Sequence, residues 1–136
     1  MEGPCLVKGY SLDTHVLVFW ANATDISPEF VRFLDACVAR GELYASAACF
    51  WELALLVKRG RIVLSDVKAW KDRLLARTEL RIVQPTADDM IASVLLPDHH
   101  KDPFDRLLVA QARNSGHVLV TRDDMVMRYP VKTFWM

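Results

Sequence analysis

Between residues 103 and 115 the apolar positions Phe104, Leu107, Leu108 and Ala112 recur at helical spacing, and after Ser115-Gly116 the run Val118-Leu119-Val120 is continuously apolar. The pattern predicts a helix followed by a buried strand. Asp102 suits the N-cap, Pro103 the first helical position, and Gly116 the stop. Such a helix covers about 18 Å at roughly 1.5 Å per residue and the returning strand about 17 Å at roughly 3.3 Å, so Asp105 and Asp123 finish at the same end of the fold. On a helical wheel Asp105 falls inside the arc of Phe104, Leu108, Val109 and Ala112, with Arg106 and Arg113 opposite. A carboxylate on a buried face calls for a positive partner, and a divalent metal is the candidate.

The same alternation runs through the rest of the chain. Residues 6–12 predict a first strand ending at Asp13, and 16–20 a short apolar helix before the break at 22–25. Ser27-Pro28-Glu29 opens an amphipathic helix whose stripe is Phe30, Phe33, Leu34, Cys37 and Val38 and which ends near Gly41. Residues 43–46 predict a second strand and 47–59 a helix closed by Gly60, in which Glu52 is the only charge between Ala47 and Val57. A helix capped by Ser65-Asp66 runs to Arg77, a third strand spans 80–83, and a capped helix covers 86–95. After Asp123 a helical turn reaches Tyr129, and 131–135 make a last strand at the sheet edge. Alternating strands and helices imply an α/β fold, a three-layer α/β/α sandwich around a parallel sheet of about five strands. Ligands collect at the carboxyl ends of such strands. Asp13, Asp105 and Asp123 belong to that edge, and Glu52 reaches it because helical side chains lean toward the N-terminus.

Length and charge narrow the class. The 136 residues, 52% of them hydrophobic, suit a single domain, 1–136. Seventeen basic and seventeen acidic residues leave a formal net charge of zero, so any polyanion site is local. Cys5, Cys37 and Cys49 have no metal-ligand spacing and suit reduced thiols, and no apolar run is long enough to span a bilayer, which together read as a cytoplasmic protein.

Two carboxylates about 4 Å apart repel by roughly 4 kcal/mol at an effective dielectric near 20. An oxygen-only cluster suits Mg²⁺ or Mn²⁺, and phosphodiester hydrolysis is the natural chemistry for such an ion. Taken singly, Asp13 and Asp123 are equally well turn or cap residues, and Asp102 is better a cap than a ligand. Glu52 is the strongest of the set, a lone carboxylate in a helix that reads as apolar all round. His99 and His100 read as solvated loop histidines, His15 and His117 as incidental, and Trp20, Trp51, Trp70 and Trp135 as packing residues. Lys58, Arg59 and Arg61 cluster at a helix end, where they complement the dipole or contact backbone phosphate.

With these residues in place, the chain resembles the PIN-domain ribonucleases of the VapC toxin type, over nearly its whole length. Leu12-Asp13-Thr14-His15 is similar to the family's first acidic motif, Ser46 through Trp51-Glu52 to the second, Asp102 through Leu107 to the third, and Thr121-Arg122-Asp123 to the fourth. The resemblance implies that Asp13, Glu52, Asp105 and Asp123 are metal-binding acids, with Thr121 orienting Asp13 and Thr14 and Ser46 in support. It further implies Mg²⁺-dependent cleavage of RNA, a homodimer, and inhibition by a cognate VapB-like antitoxin. The chain departs from the family pattern at Leu56, where many relatives carry a Lys, at Arg122, where a small residue is common, and at Val126, where an aromatic is frequent. Lys58, Arg59, Arg106 and Arg122 are the candidate RNA contacts. Two other readings fit the same fold class: a catalytically idle binding module, and a receiver-type phosphoacceptor domain. The second wants an acidic pair at the first strand and an Asp after the third, where this chain has a single Asp13 and Ile82-Val83-Gln84-Pro85.

Overall fold

A computed structural model describes residues 8–136. Five strands, β1 (Tyr10–Leu12), β2 (Leu43–Ser46), β3 (Arg81–Val83), β4 (Val118–Val120) and β5 (Thr133–Phe134), form one parallel sheet in the order β3-β2-β1-β4-β5. The helices are α1 (Thr14–Asn22), α2 (Pro28–Ala39), α3 (Ala47–Lys58), α4 (Val67–Arg77), α5 (Ala87–Leu95) and α6 (Pro103–Ser115), with a 3-10 turn at Val126–Arg128. The expected strand at 6–12 is observed over its second half. Residues 6 and 7 of that expectation, and Cys5, lie outside the described residues.

Capping chemistry sets most helix starts. Asp13, Ser27, Ser46, Asp66, Thr86 and Asp102 each accept a backbone N–H of the following turn. Gly116 closes α6 with φ at 71°, a left-handed conformation that a glycine adopts without strain. The two faces of the sheet are buried separately. Leu12, Leu43, Ala45 and Val120 join the larger cluster with Leu17, Phe30, Leu34, Leu53 and Trp70, while Leu119 joins Val109, Ala112, Val126 and Tyr129 in the smaller one. Because successive strand residues point to opposite faces, Leu119 and Val120 serve different layers.

Register carries the geometry to the site. Leu12 pairs with both Ala45 and Val120, so the strands of the sheet centre end level with one another. Asp13, Ser46 and Thr121 each follow or close one of those ends. His117 is not incidental, since its Nδ1 lies 2.7 Å from the Ser11 hydroxyl and its ring stacks on Tyr44 at the opposite edge. No helix among the described residues is long and apolar enough to cross a membrane.

Candidate metal centre

Asp13 is fixed from three directions. Its backbone N–H donates to the Val120 carbonyl (3.2 Å), its carboxylate accepts the Val16 N–H (2.9 Å), and its side chain hydrogen-bonds the hydroxyl of fully buried Thr121. The Asp123 N–H in turn donates to Thr121 Oγ1 (3.1 Å), so one threonine sets the spacing of two acids. The Asp123 carboxylate accepts the Met125 N–H (2.8 Å). On α3, Ser46 caps the helix through the Ala48 N–H (3.1 Å), and Glu52 leans back to accept the hydroxyl of buried Thr14 at 2.5 Å. Asp105 enters from the first turn of α6, whose cap Asp102 accepts the N–H groups of Phe104 (2.8 Å) and Asp105 (3.4 Å).

Asp13, Glu52, Asp102, Asp105 and Asp123 line one cavity of about 350 Å³, together with Thr14, His15, Phe19 and Arg122. Burial, and then the facing carboxylates of Asp102, Glu52, Asp123 and Asp13, push the Asp105 carboxyl up to about 8. Burial likewise raises Asp13 and Glu52 above the ordinary carboxylate range. A cluster this reluctant to ionise is complementary to a cation. Its donor set, carboxylate oxygens with one imidazole nearby, suits a hard divalent ion.

His100 corrects the expectation of a solvated loop histidine. Its Nε2 lies 2.9 Å from Asp105 Oδ2 and 3.7 Å from Asp123 Oδ2, and ligand atoms of these three residues lie within 4.8 Å of one another. The Asp102 N–H donates to His100 Nδ1 (3.2 Å), which places the ring proton on Nε2, facing Asp105. The signal in the sequence was proximity: His100 stands two residues before a helix cap, where backbone geometry aims it at the helix's first acid. His99 packs instead against the Tyr129 ring.

Arg106 is a second correction. Rather than facing solvent or RNA, its guanidinium donates to the carbonyls of Ser93, Val94, Leu96, Pro97 and His100 and to the Tyr129 hydroxyl, and its side chain is 12% exposed. It ties the end of α5 and the following loop to α6, and so positions His100. The remaining candidates are spread differently. Arg122 is exposed, with its guanidinium 5.3 Å from the Phe19 ring centre and 5.4 Å from that of Trp135. Arg59 and Arg61 line a groove that shares Glu52 and Asp102 with the acidic cavity, whereas Lys58 lines neither.

Nor is α3 apolar all round, since it exposes Trp51 and Ala54 and leaves Glu52, Leu55 and Leu56 half-buried. Trp51 is 64% exposed, packs edge-to-face on Phe104, and is not a core residue. Trp20 and Trp70 are buried as expected, and Trp135 packs against the larger cluster.

The PIN domain family model matches residues 10–132. Ribonuclease VapC22 of Mycobacterium tuberculosis is 33% identical over 115 residues, covering 82% of this chain and 85% of the relative. Among solved structures, the VapBC2 complex of Rickettsia felis bound to a promoter DNA fragment superposes with a TM-score of 0.72 at 19% identity, over 93% of this chain and 98% of that one. The FitAcB structure from Neisseria gonorrhoeae gives 0.67 at 19% identity, over 93% and 96%. At that identity the two structures speak for the fold, which has the same parallel five-stranded α/β/α arrangement. With a family model matched across nearly the whole sheet and a curated relative similar over most of its length, the chain belongs to the PIN-domain family.

Proposed function

We propose that this chain is a VapC-type toxin, a metal-dependent endoribonuclease that hydrolyses RNA phosphodiester bonds as a single cytoplasmic PIN domain. The observation that carries the reading is the convergence of Asp13, Glu52, Asp105 and Asp123 on one cavity in which Asp105 is pushed up to about 8. These four are assigned as the acids that hold Mg²⁺, with Mn²⁺ as a substitute. A bound divalent cation supplies Lewis acidity toward the phosphodiester and a nucleophile from water near neutral pH. The protein's own part is positioning. Thr121 holds Asp13, Thr14 holds Glu52, and Ser46 fixes the helix that delivers Glu52. His100, whose Nδ1 accepts the Asp102 N–H, holds the Asp105 side chain in place from Nε2.

Arg122, clamped between Phe19 and Trp135 at the cavity wall with no carboxylate partner among the described residues, is assigned to a substrate phosphate. Arg59 takes the basic role left open by Leu56. One structure of similar fold is a toxin–antitoxin complex from Klebsiella pneumoniae and another is the VapBC2 complex of Rickettsia felis, which supports a VapB-like antitoxin as the partner that inhibits this chain. The exposed row Met90, Ile91, Val94 and Leu95 on α5 is assigned to a homodimer contact.

Incubation of purified protein with a pool of structured and single-stranded RNA, in Mg²⁺, Mn²⁺ or EDTA and beside Asp105→Asn, tests the proposal. Metal-dependent cutting that disappears in the variant is expected. A folded protein that cuts nothing in any metal, with a pool that includes tRNA and rRNA, would move the chain to the idle binding module.

A further inference from the structure

The groove beside the acidic cavity encloses about 190 Å³ and is lined by Glu52, Leu55, Leu56, Arg59, Arg61, Asp102 and Phe104. It opens directly from the acids, because Glu52 and Asp102 belong to both walls. Its cations are uncommitted. Arg59 and Arg61 are both exposed, and neither has a carboxylate partner among the described residues. Phe104 on its wall packs edge-to-face against Trp51, ring centres 4.9 Å apart and interplanar angle 75°, and Trp51 is the immediate neighbour of Glu52 in the chain. A large aromatic surface left 64% open to water loses hydrophobic stabilisation unless a partner covers it. The charge beside it selects that partner. Two guanidinium groups that share a groove with one ring of an aromatic pair are complementary to alternating phosphates and bases, the recurring chemistry of single-strand binding.

We propose that Trp51, Phe104, Arg59 and Arg61 form a nucleotide subsite in which Trp51 stacks on an unpaired base adjoining the scissile phosphate while Arg59 and Arg61 hold the phosphate beyond it. The subsite rests on the ribonuclease reading and deepens it, because it explains how a strand of negative charge is kept against a wall of carboxylates. A base held by stacking is splayed from its neighbours, so this side of the cut lies in an unpaired segment. Stacking reads the π-face rather than base edges, so the subsite favours an unpaired base without fixing its identity. All four are substrate-positioning residues, since none reaches the reacting atoms.

The test uses the full chain and a short single-stranded RNA that it cuts, prepared intact and with one abasic position on either side of the cleaved bond. Trp51→Ala is expected to raise KM for the intact strand about tenfold or more, with Trp51→Phe restoring most of the loss. The abasic strand should cost the wild type a similar factor on one side of the cut only, and cost Trp51→Ala little further. Lys68→Ala, on the exposed face of α4, is the unaffected control. Equal penalties from the abasic position in wild type and Trp51→Ala would overturn the subsite. So would an unchanged KM accompanied by a halved mass in light scattering or loss of a co-purified antitoxin, which would assign Trp51 to a protein interface. Binding of a labelled single-stranded RNA in EDTA, followed by fluorescence anisotropy, separates the two claims: a wild type that binds through Trp51 in EDTA yet cuts no strand once Mg²⁺ or Mn²⁺ is supplied overturns the nuclease reading alone, and one that neither binds in EDTA nor cuts with metal overturns both.

Discussion

The acidic cavity is flanked by arginines on both sides, and the two sides use them in opposite ways. On the α6 side, Arg106 has its donors engaged by backbone carbonyls and one tyrosine hydroxyl, with the exposed Asp98 carboxylate 3.6 Å away. Elsewhere, Arg122 on the cavity wall is held among the described residues by ring faces, and Arg59 and Arg61 in the adjoining groove have no carboxylate partner among the described residues. The first arrangement fixes a loop, and the second leaves charge available to a ligand. Position on a helix does not separate these roles; the account of where each N–H goes does.

Loss of the acids both sides serve should have the largest effect. Asp105→Asn or Asp13→Ala is expected to lower cleavage more than about a hundredfold, because even residues that only support metal ligands typically cost 10–100-fold. Melting temperature in EDTA should not fall for Asp105→Asn, since the substitution removes a crowded carboxylate. A collapse of the fold would show the acid to be structural. Arg106→Ala comes next, with a loss of about 2–3 kcal/mol in urea unfolding from the carbonyls it leaves behind, and Arg122→Ala should leave stability within about 1 kcal/mol. If the two arginine variants destabilise equally, the contrast between the flanks fails.

A pH series sharpens the contrast further. Asp105 is raised in the folded state, from 3.8 to about 8, so its contribution favours folding fully below the unfolded value and is lost as pH rises through about 8. Metal-free protein should therefore lose melting temperature between about pH 4 and pH 8, most of which Mg²⁺ or Mn²⁺ restores. Arg106→Ala should keep that slope and Asp105→Asn should flatten it. The smallest effect is on substrate affinity. Arg122→Ala should weaken RNA binding severalfold and reduce the salt slope by about one, while Lys58→Ala, outside both cavity and groove, should change neither.

The backbone plan was legible because it is local. Caps and periodicity placed α2, α4, α5 and α6 close to their observed bounds, and the alternation of elements implied the parallel sheet. The convergence of the four acids was legible too, since strand ends and helix starts share an edge in any such sheet. Roles that depend on tertiary neighbours were hidden. Trp51 sits in a run that reads as core, yet the helix turns it outward while Leu53 and Cys49 face inward. His100 and Arg106 were misread for a related reason: the 96–101 loop folds over α6, so a loop histidine meets an acid and a solvent-side arginine meets carbonyls. Such contacts join residues whose spacing carries no period, and no pattern in the chain announces them.

Diffraction at the manganese absorption edge from crystals soaked in Mn²⁺ tests the central claim most directly. An anomalous peak is expected inside the cavity, within bonding distance of oxygens from Asp13, Glu52, Asp105 and Asp123, with Asp105 drawn off His100. A well-ordered cavity that shows no peak, with Asp105 still held by His100 at saturating Mn²⁺, would contradict it.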